Sequence, residues 1–258
     1  MAEPRDFYDS LADDYHLMFT DWWTSAVAQG EALDGLLRSL GVPPGATLLD
    51  CTCGIGTQAL PLAARGYRVT GSDVSASAVA RAREEADRRG IPITLGTADV
   101  RALTADAPFD VVISADNSLP HLRTDEDLGA ALRAIRGVLA PDGVFLASVR
   151  DYDALARDRV AGVMPVTHTE DGTRRIVGQS WTWTDDHRTV TFDLFMLREQ
   201  EDGWAAAVRT TTYRAWRRAE LTAALTAAGF TGIVWADPPG SGYYQPVVTA
   251  RIMRGTSD

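Results

Sequence analysis

Apolar positions recur at helical spacing near the start of the chain. Tyr8, Leu11 and Tyr15 stand at i, i+3 and i+7, and Leu33, Leu36, Leu37 and Leu40 form a second stripe. Residues 6–40 therefore read as helical, and Gly41-Val42-Pro43-Pro44-Gly45 ends them, because Pro lacks a backbone donor and Gly supplies turn conformations. Beyond that break, short apolar runs alternate with helical periods. Strands are expected at 47–50, 68–72, 93–96, 111–115 and 143–149, and helices at 58–65, 75–89 and 126–139. Strands separated by helices imply βαβ units and a mostly parallel, doubly wound α/β sheet.

The period changes after Arg150. Residues 176–184, 189–198 and 204–213 alternate polar with β-branched or aromatic positions, and are separated by Asp185-Asp186 and Asp202-Gly203. Turns this short join antiparallel strands, so a small three-stranded β insertion is expected. The chain then resumes a helix at 220–228, a strand at 232–236, the turn Pro238-Pro239-Gly240 and a last strand at 245–254. The expected organisation is a helical cap over 1–40, an α/β domain built from 41–150 and 214–258, and a β insertion over 151–213.

Composition narrows the function. The 258 residues are 45% apolar with a net charge of −10, and all 25 basic residues are arginine. The absence of lysine excludes a Schiff-base lysine and a phosphate-loop lysine. A nucleic-acid partner is not expected, since phosphate binding calls for a basic face; Arg81, Arg83, Arg88 and Arg89 are interleaved with acids as a solvated helix face. No apolar run reaches the roughly 18 residues of a membrane span, and the polar N-terminus is not a signal peptide, so a cytoplasmic enzyme is expected. Cys51 and Cys53, two apart at a strand end, point to opposite faces and are not expected to pair. Neither they nor the four histidines form a metal-ligand cluster in sequence, so no metal is expected.

Candidate chemistry concentrates in Leu48-Leu49-Asp50-Cys51-Thr52-Cys53-Gly54-Ile55-Gly56-Thr57-Gln58, an apolar strand running into an acid and a glycine loop before a helix. Glycines let backbone N–H groups and a helix N-terminus approach a ligand. Asp73 ends the next strand, and together these describe a nucleoside cofactor held at the first two strands. Gly54-Ile55-Gly56-Thr57-Gln58-Ala59 also satisfies the dinucleotide pattern G-x-G-x-x-[GA], which keeps a nicotinamide-dependent oxidoreductase open. Against that reading stand Asp50 four residues before Gly54, the Asp99-Val100 pair after the third strand, and Asp116-Asn117 after the fourth.

With these features the chain resembles the class I S-adenosylmethionine-dependent methyltransferases, whose loop is D-x-G-x-G-x-G; Thr52 stands where the first glycine is usual. The resemblance implies a Rossmann-like, mostly parallel seven-stranded sheet with an antiparallel last strand. It implies S-adenosyl-L-methionine as cofactor, S-adenosyl-L-homocysteine as product, and a cofactor-binding set of Asp50, Cys51, Thr52, Gly54, Gly56, Gln58, Asp73, Val74, Asp99, Val100 and Asp116. In it Asp73 serves the ribose hydroxyls and Asp99 the adenine amino group.

Asn117-Ser118-Leu119-Pro120-His121-Leu122 and Arg150-Asp151-Tyr152-Asp153 resemble the N-S-x-x-H-L and R-N-Y-D segments of the glycine and sarcosine N-methyltransferase group, with Asp151 in place of asparagine. That resemblance implies a small-molecule amine acceptor, an antiparallel lid at 176–213, and catalytic-side residues Asn117, His121, Arg150, Tyr15 and Tyr213, with Tyr8, Tyr243 and Tyr244 as further pocket candidates. Arg150 would grip a carboxylate; its alternative is an ion pair with Asp116, Asp151 or Asp153. His121 is the first candidate for a base, if one is used. An oxygen or carbon acceptor on a larger natural-product scaffold is the alternative function. The helical arm and β lid are common meeting places of subunits, so a homo-oligomer stays open.

Overall fold

The computed structural model describes residues 3–170 and 172–252; the expected strand residues 253 and 254 lie outside them. Two sheets organise the chain. The larger has seven strands: β1 (Thr47–Asp50), β2 (Arg68–Asp73), β3 (Thr94–Thr97), β4 (Phe109–Ser114), β5 (Leu139–Ser148), β10 (Thr231–Ala236) and β11 (Val247–Arg251), in the order β10-β11-β5-β4-β1-β2-β3. β1 through β5 pair in parallel, and β11 runs antiparallel to both β5 and β10. The expected α/β sheet is thus present, with its strand order reversing between β1 and β4.

Helices cover both faces. On one side α5 (Asp125–Val138) and α7 (Arg218–Ala227) bury Leu128, Leu132, Ile135 and Leu225 against Phe145 and Phe230. On the other, α2 (Trp22–Ser39) and α3 (Ala59–Ala64) bury Leu33, Leu37 and Leu62 against Leu48 and Ile113. Each fully buried aliphatic side chain contributes about 1.5–3 kcal/mol, so these stripes hold the sheet between its layers. Cys51 packs into the first cluster and Cys53 into the second, on opposite faces, and both thiols are free. The helix α4 (Ala76–Arg89), N-capped by Ser75, follows β2.

Two expectations need correction. The N-terminal segment is not one helical stretch. It is α1 (Pro4–Leu11), a 3-10 turn at Tyr15–Met18, and α2, whose N-cap Asp21 accepts from Thr24 N at 2.9 Å. This local side-chain bond of Asp21 starts a fresh helix in place of a continuing one. The insertion, which follows the short helix α6 (Tyr152–Arg157), has four strands rather than three: β6 (Gly162–Glu170), β7 (Thr173–Trp183), β8 (Thr189–Gln200) and β9 (Gly203–Arg214), paired antiparallel in that order. β6 lies at the edge, and its pairing shifts between Val163 and Val166, around Pro165. Pro is tolerated at edges and bulges, and it hides the strand from a reading of alternation. The inner face of this sheet buries Val177, Trp181, Phe192, Leu194 and Tyr213 against Phe7 and Leu11 of α1. Among the described residues no helix is long and apolar enough to cross a membrane.

Candidate active site

A cavity of about 380 Å³ opens at the carboxyl ends of β1 and β4, where the strand order reverses. Such a switch point is where open α/β sheets bind ligands. The loop after β1 and the ends of β2, β3 and β4 line it, and the head of α1 covers it.

Asp50 ends β1 and is wholly buried beneath the cavity. Thr52 N donates to its Oδ1 at 3.3 Å, while Oδ2 has no partner among the described residues. Burial pushes its carboxyl up to about 8, against the Thr52 amide. Cys51 Sγ turns into the sheet onto Ile113 O, and Thr52 Oγ1 meets Ser114 Oγ at 3.1 Å, so β1 and β4 are stitched at their ends. Gly56 has φ +91°, and a Cβ there would lie 2.7 Å from Leu60 Cγ, so the loop closes onto the helix only with glycine.

Asp73 accepts from Gly54 N through Oδ2 and from Ser75 N through Oδ1, both at 2.9 Å. Burial raises its carboxyl, and these amides oppose the shift. Each oxygen keeps a lone pair toward the cavity, which Val74 also lines. Asp99 and Val100 line the same wall, but Asp99 already accepts from Arg101 at 2.7–3.1 Å, which holds its carboxyl low. Gln58 is tied elsewhere: its Nε2 donates to Gln29 Oε1 at 2.7 Å and to Tyr243 OH at 3.2 Å, joining α2 to the C-terminal loop.

The second half of the site is aromatic. Tyr8 OH bonds His121 Nε2 at 2.9 Å, and the His121 ring stands edge-on to Tyr213, with centroids 4.6 Å apart. Burial pushes His121 down to about 3, with Arg123 and Arg150 adding to the shift, so its imidazole is neutral at ordinary pH. Arg150 pairs with none of its three candidate acids: no carboxylate lies within 4.0 Å of it among the described residues. Asp151 pairs instead with Arg218, and Asp153 with Arg217. The Arg150 guanidinium lies 4.8 Å from the Trp181 ring and 5.8 Å from those of Phe192 and Tyr213. Around it Asn117 Nδ2, Tyr152 OH and Trp181 Nε1 are buried polar groups without a partner among the described residues.

Asp116 and Asn117 follow β4 with φ +55° and +66°, a pair of left-handed non-glycine residues that costs on the order of 1–3 kcal/mol each. Ser148 holds the turn, accepting from Asp116 N at its Oγ and from Asn117 N at its carbonyl, while Arg150 N donates to Asn117 Oδ1 at 3.1 Å. Tyr15 OH donates to Asp116 Oδ2 at 3.0 Å and Tyr244 OH to Oδ1. Of the predicted acceptor-side residues, Tyr15 and His121 line the cavity, whereas Asn117, Arg150 and Tyr213 are outside its lining, with Tyr213 packed between His121 and Arg150. Sequence reasoning missed Arg5, Ser118, Arg123 and Asp127 in the lining and Tyr152 beside Arg150. The N-S-x-x-H-L segment carried a local signal for Ser118 and the R-x-Y-D segment one for Tyr152.

Residues 48–143 match a family model described as a methyltransferase domain. A glycine/sarcosine N-methyltransferase from Parasynechococcus marenigrum is 33% identical over 153 residues, 58% of this chain and 53% of that protein. Residues 48–143 therefore read as a methyltransferase domain. A Streptomyces venezuelae dTDP-3-amino-3,4,6-trideoxy-alpha-D-glucopyranose N,N-dimethyltransferase is 30% identical over 135 residues, 52% of this chain and 55% of that protein. The crystal structure of Streptomyces venezuelae DesVI superposes with a TM-score of 0.76 at 21% identity, covering 98% of this chain and 99% of that one, which extends the shared fold to the β insertion. The chain spans about half the length of the curated relatives it matches. Among the described residues, no three His, Cys, Asp or Glu side chains are grouped to hold a metal ion.

Proposed function

We propose that the protein methylates the nitrogen of a small, carboxylated amine, using S-adenosylmethionine. The residues fit that cofactor: Asp50 offers a buried acceptor with no partner among the described residues, Asp73 two oxygens with spare lone pairs, and the loop a tight turn that closes at Gly56 only without a Cβ. When bound, S-adenosylmethionine supplies a methyl group already activated on a sulfonium. The chain's own task is to bind, orient and keep water out, and well-aligned reactants gain up to about 7–11 kcal/mol from positioning alone.

The observation that carries the acceptor assignment is Arg150. A guanidinium with no carboxylate partner, ringed by aromatic faces and by the unpaired donors Asn117 Nδ2 and Trp181 Nε1, calls for an anion from outside. A carboxylate gripped there is fixed in direction as well as charge. The helical cap over 1–40 and the β insertion over 151–213 would then serve as the lid over an α/β domain of 41–150 and 214–258. His121 is assigned as a neutral positioning residue held by Tyr8, not as the base. The relatives' names support nitrogen as the acceptor atom, one for glycine and sarcosine and one for an amino sugar.

The test is methyl transfer from radiolabelled S-adenosylmethionine to glycine, sarcosine, methylamine and a dTDP-amino sugar. Arg150→Met should raise the KM of the carboxylated amines by about 30- to 1000-fold, from roughly 2–4 kcal/mol for a buried charge-assisted pair, with S-adenosylhomocysteine binding unchanged. Equal turnover of methylamine and glycine would remove the carboxylate from the reading. Turnover of the amino sugar alone, indifferent to Arg150, would move the acceptor to that class.

A further inference from the structure

We propose that Asp116 receives the acceptor's ammonium group and takes its proton, so that the pocket is built for zwitterions, Arg150 holding the carboxylate end and Asp116 the amine end. This rests on the N-methylation reading above.

Three observations support it. The first is placement. Asp116 lines the cavity from the end of β4, whereas Asp50, Asp73 and Asp99 follow β1, β2 and β3 on the other side of the switch point. The left-handed pair Asp116-Asn117, pinned by Ser148, is what turns this carboxylate into the cavity, and the same turn binds the Arg150 amide. The acid and the guanidinium are therefore set by one rigid corner.

The second is company. Both carboxylate oxygens are engaged, but by neutral donors only, the hydroxyls of Tyr15 and Tyr244. No Arg or His lies within 4.0 Å of Asp116 among the described residues. The groups that sense it are Tyr8 and Tyr15 from the N-terminal segment, Arg150 from the end of β5, Tyr213 from β9, and Tyr243 and Tyr244 from the C-terminal loop. One of these six is cationic, and it faces its own aromatic cage. A half-buried carboxylate held by hydroxyls has no direct ion-pair partner among the described residues, Arg150 acting on it only from beyond 4.0 Å, and each oxygen retains lone pairs for a donor from outside.

The third is chemistry. An amine carries its proton at neutral pH and must lose it before its lone pair can attack. At Asp116 one N–H bond breaks and one O–H bond forms, the ammonium becoming a neutral amine and the carboxylate a carboxylic acid; no other reactant is needed. Burial raises the Asp116 carboxyl against its two tyrosines and Arg150, which suits it to accept a proton better than an exposed aspartate would. His121, which burial keeps neutral and weakly basic, is poorly suited to the same task.

The experiment compares wild type with Asp116→Asn, which keeps size and polarity. Calorimetry on the complex with S-adenosylhomocysteine measures sarcosine, a zwitterion, and propionate, a carboxylate without the amine. The proposal expects Asp116→Asn to weaken sarcosine by about 30-fold, to change propionate and S-adenosylhomocysteine less than about twofold, and to abolish the acid limb of kcat/KM. Equal effects on sarcosine and propionate overturn it. So does an equal loss of S-adenosylhomocysteine affinity, which would make Asp116 a cofactor group. Should Asp116→Asn fail to fold, Tyr15→Phe decides: removing one donor from the carboxylate raises its basicity and moves the acid limb to higher pH, and an unmoved limb overturns the assignment. Wild type that methylates no amine overturns the N-methylation reading itself, whereas an active wild type with an unaffected Asp116→Asn overturns only the role of Asp116.

Discussion

Asp50→Asn tests whether the cofactor loop stores a proton. Burial lifts the Asp50 carboxyl from 3.8 to about 8, a difference of about 4 units. At about 1.4 kcal/mol per unit, ionising it inside the empty fold costs up to about 6 kcal/mol more than in the unfolded chain. Between pH 4 and pH 8 the folded state therefore binds more protons than the unfolded one. Stability must fall as pH rises through that window, with a slope of up to about 1.4 kcal/mol per pH unit. Below about 4 both states are protonated and above about 8 both are ionised, so the contribution is flat at either end. Asn keeps the shape and carries no titration. Urea unfolding of both proteins at pH 5, 6, 7 and 8 isolates the effect as their difference, because Asp73 and Asp116, also raised by burial, are common to both. A cation brought beside the unpartnered Oδ2 should strip the proton away. S-adenosylhomocysteine affinity should then rise toward pH 8 in wild type, with proton release seen by calorimetry in buffers of different ionisation heat, and should stay flat in Asp50→Asn. A pH-independent stability difference together with binding that releases no proton would refute the reasoning.

Gly56→Ala forces a Cβ to within 2.7 Å of Leu60 at φ +91°, which should cost about 2–4 kcal/mol in urea unfolding, whereas Gly54→Ala, with open space at φ +52°, should cost about 1 kcal/mol. Equal losses would mean that backbone conformation, not the close approach, fixes the glycine. With its imidazole pushed down to about 3, His121 should show ring proton signals that do not move between pH 5 and 8, and His121→Gln should lower kcat without shifting the acid limb of the rate profile. A titration near 6.5 would return His121 to the list of bases.

The sequence made the cofactor side of this protein legible because that side is local. Asp50, Gly54, Gly56 and Asp73 fall within one βαβ unit, where strand ends and loop chemistry can be counted off directly. Strand positions in the large sheet followed from apolar runs for the same reason. The edge strand β6 escaped because Pro165 and the polar run Thr167-His168-Thr169 break its alternation, and its order comes from pairing with β7. The acceptor side was legible only as motifs. Tyr8 meets His121 across 113 residues, Tyr15 meets Asp116 across 101, and Tyr244 reaches Asp116 across 128. No local period encodes such contacts; the Tyr8 contact exists because α1 packs under the β8 and β9 face, through Phe7 against Phe192, and the Tyr244 contact because the loop before β11 returns to the end of β4.

This construction has a thermodynamic consequence for the order of events. Closing α1 and the small sheet over the cavity removes water from Arg150 and Asp116, two opposite charges that have no ion-pair partner within 4.0 Å among the described residues. Desolvating an unpaired charge is unfavourable by several kcal/mol, so the cap is less stable over unpaired charges than over paired ones. The cap is held by hydrogen bonds of Tyr8 to His121, Tyr15 to Asp116, Asp9 to Ser75 Oγ and Ser77 N, and Asp13 O to Arg81, by the Asp14–Arg209 ion pair, and by Phe7, Leu11 and Leu17 buried against the small sheet. Each hydrogen bond is worth about 1 kcal/mol and each buried apolar side chain about 1.5–3 kcal/mol, so the cap holds over the two charges. A zwitterionic acceptor changes the balance by supplying both counter-charges at once, and a monopolar amine or acid supplies only one. With the proposed acceptor, selectivity and closure share a single cause, because the ligand that fits both charges would best stabilise the cap over them.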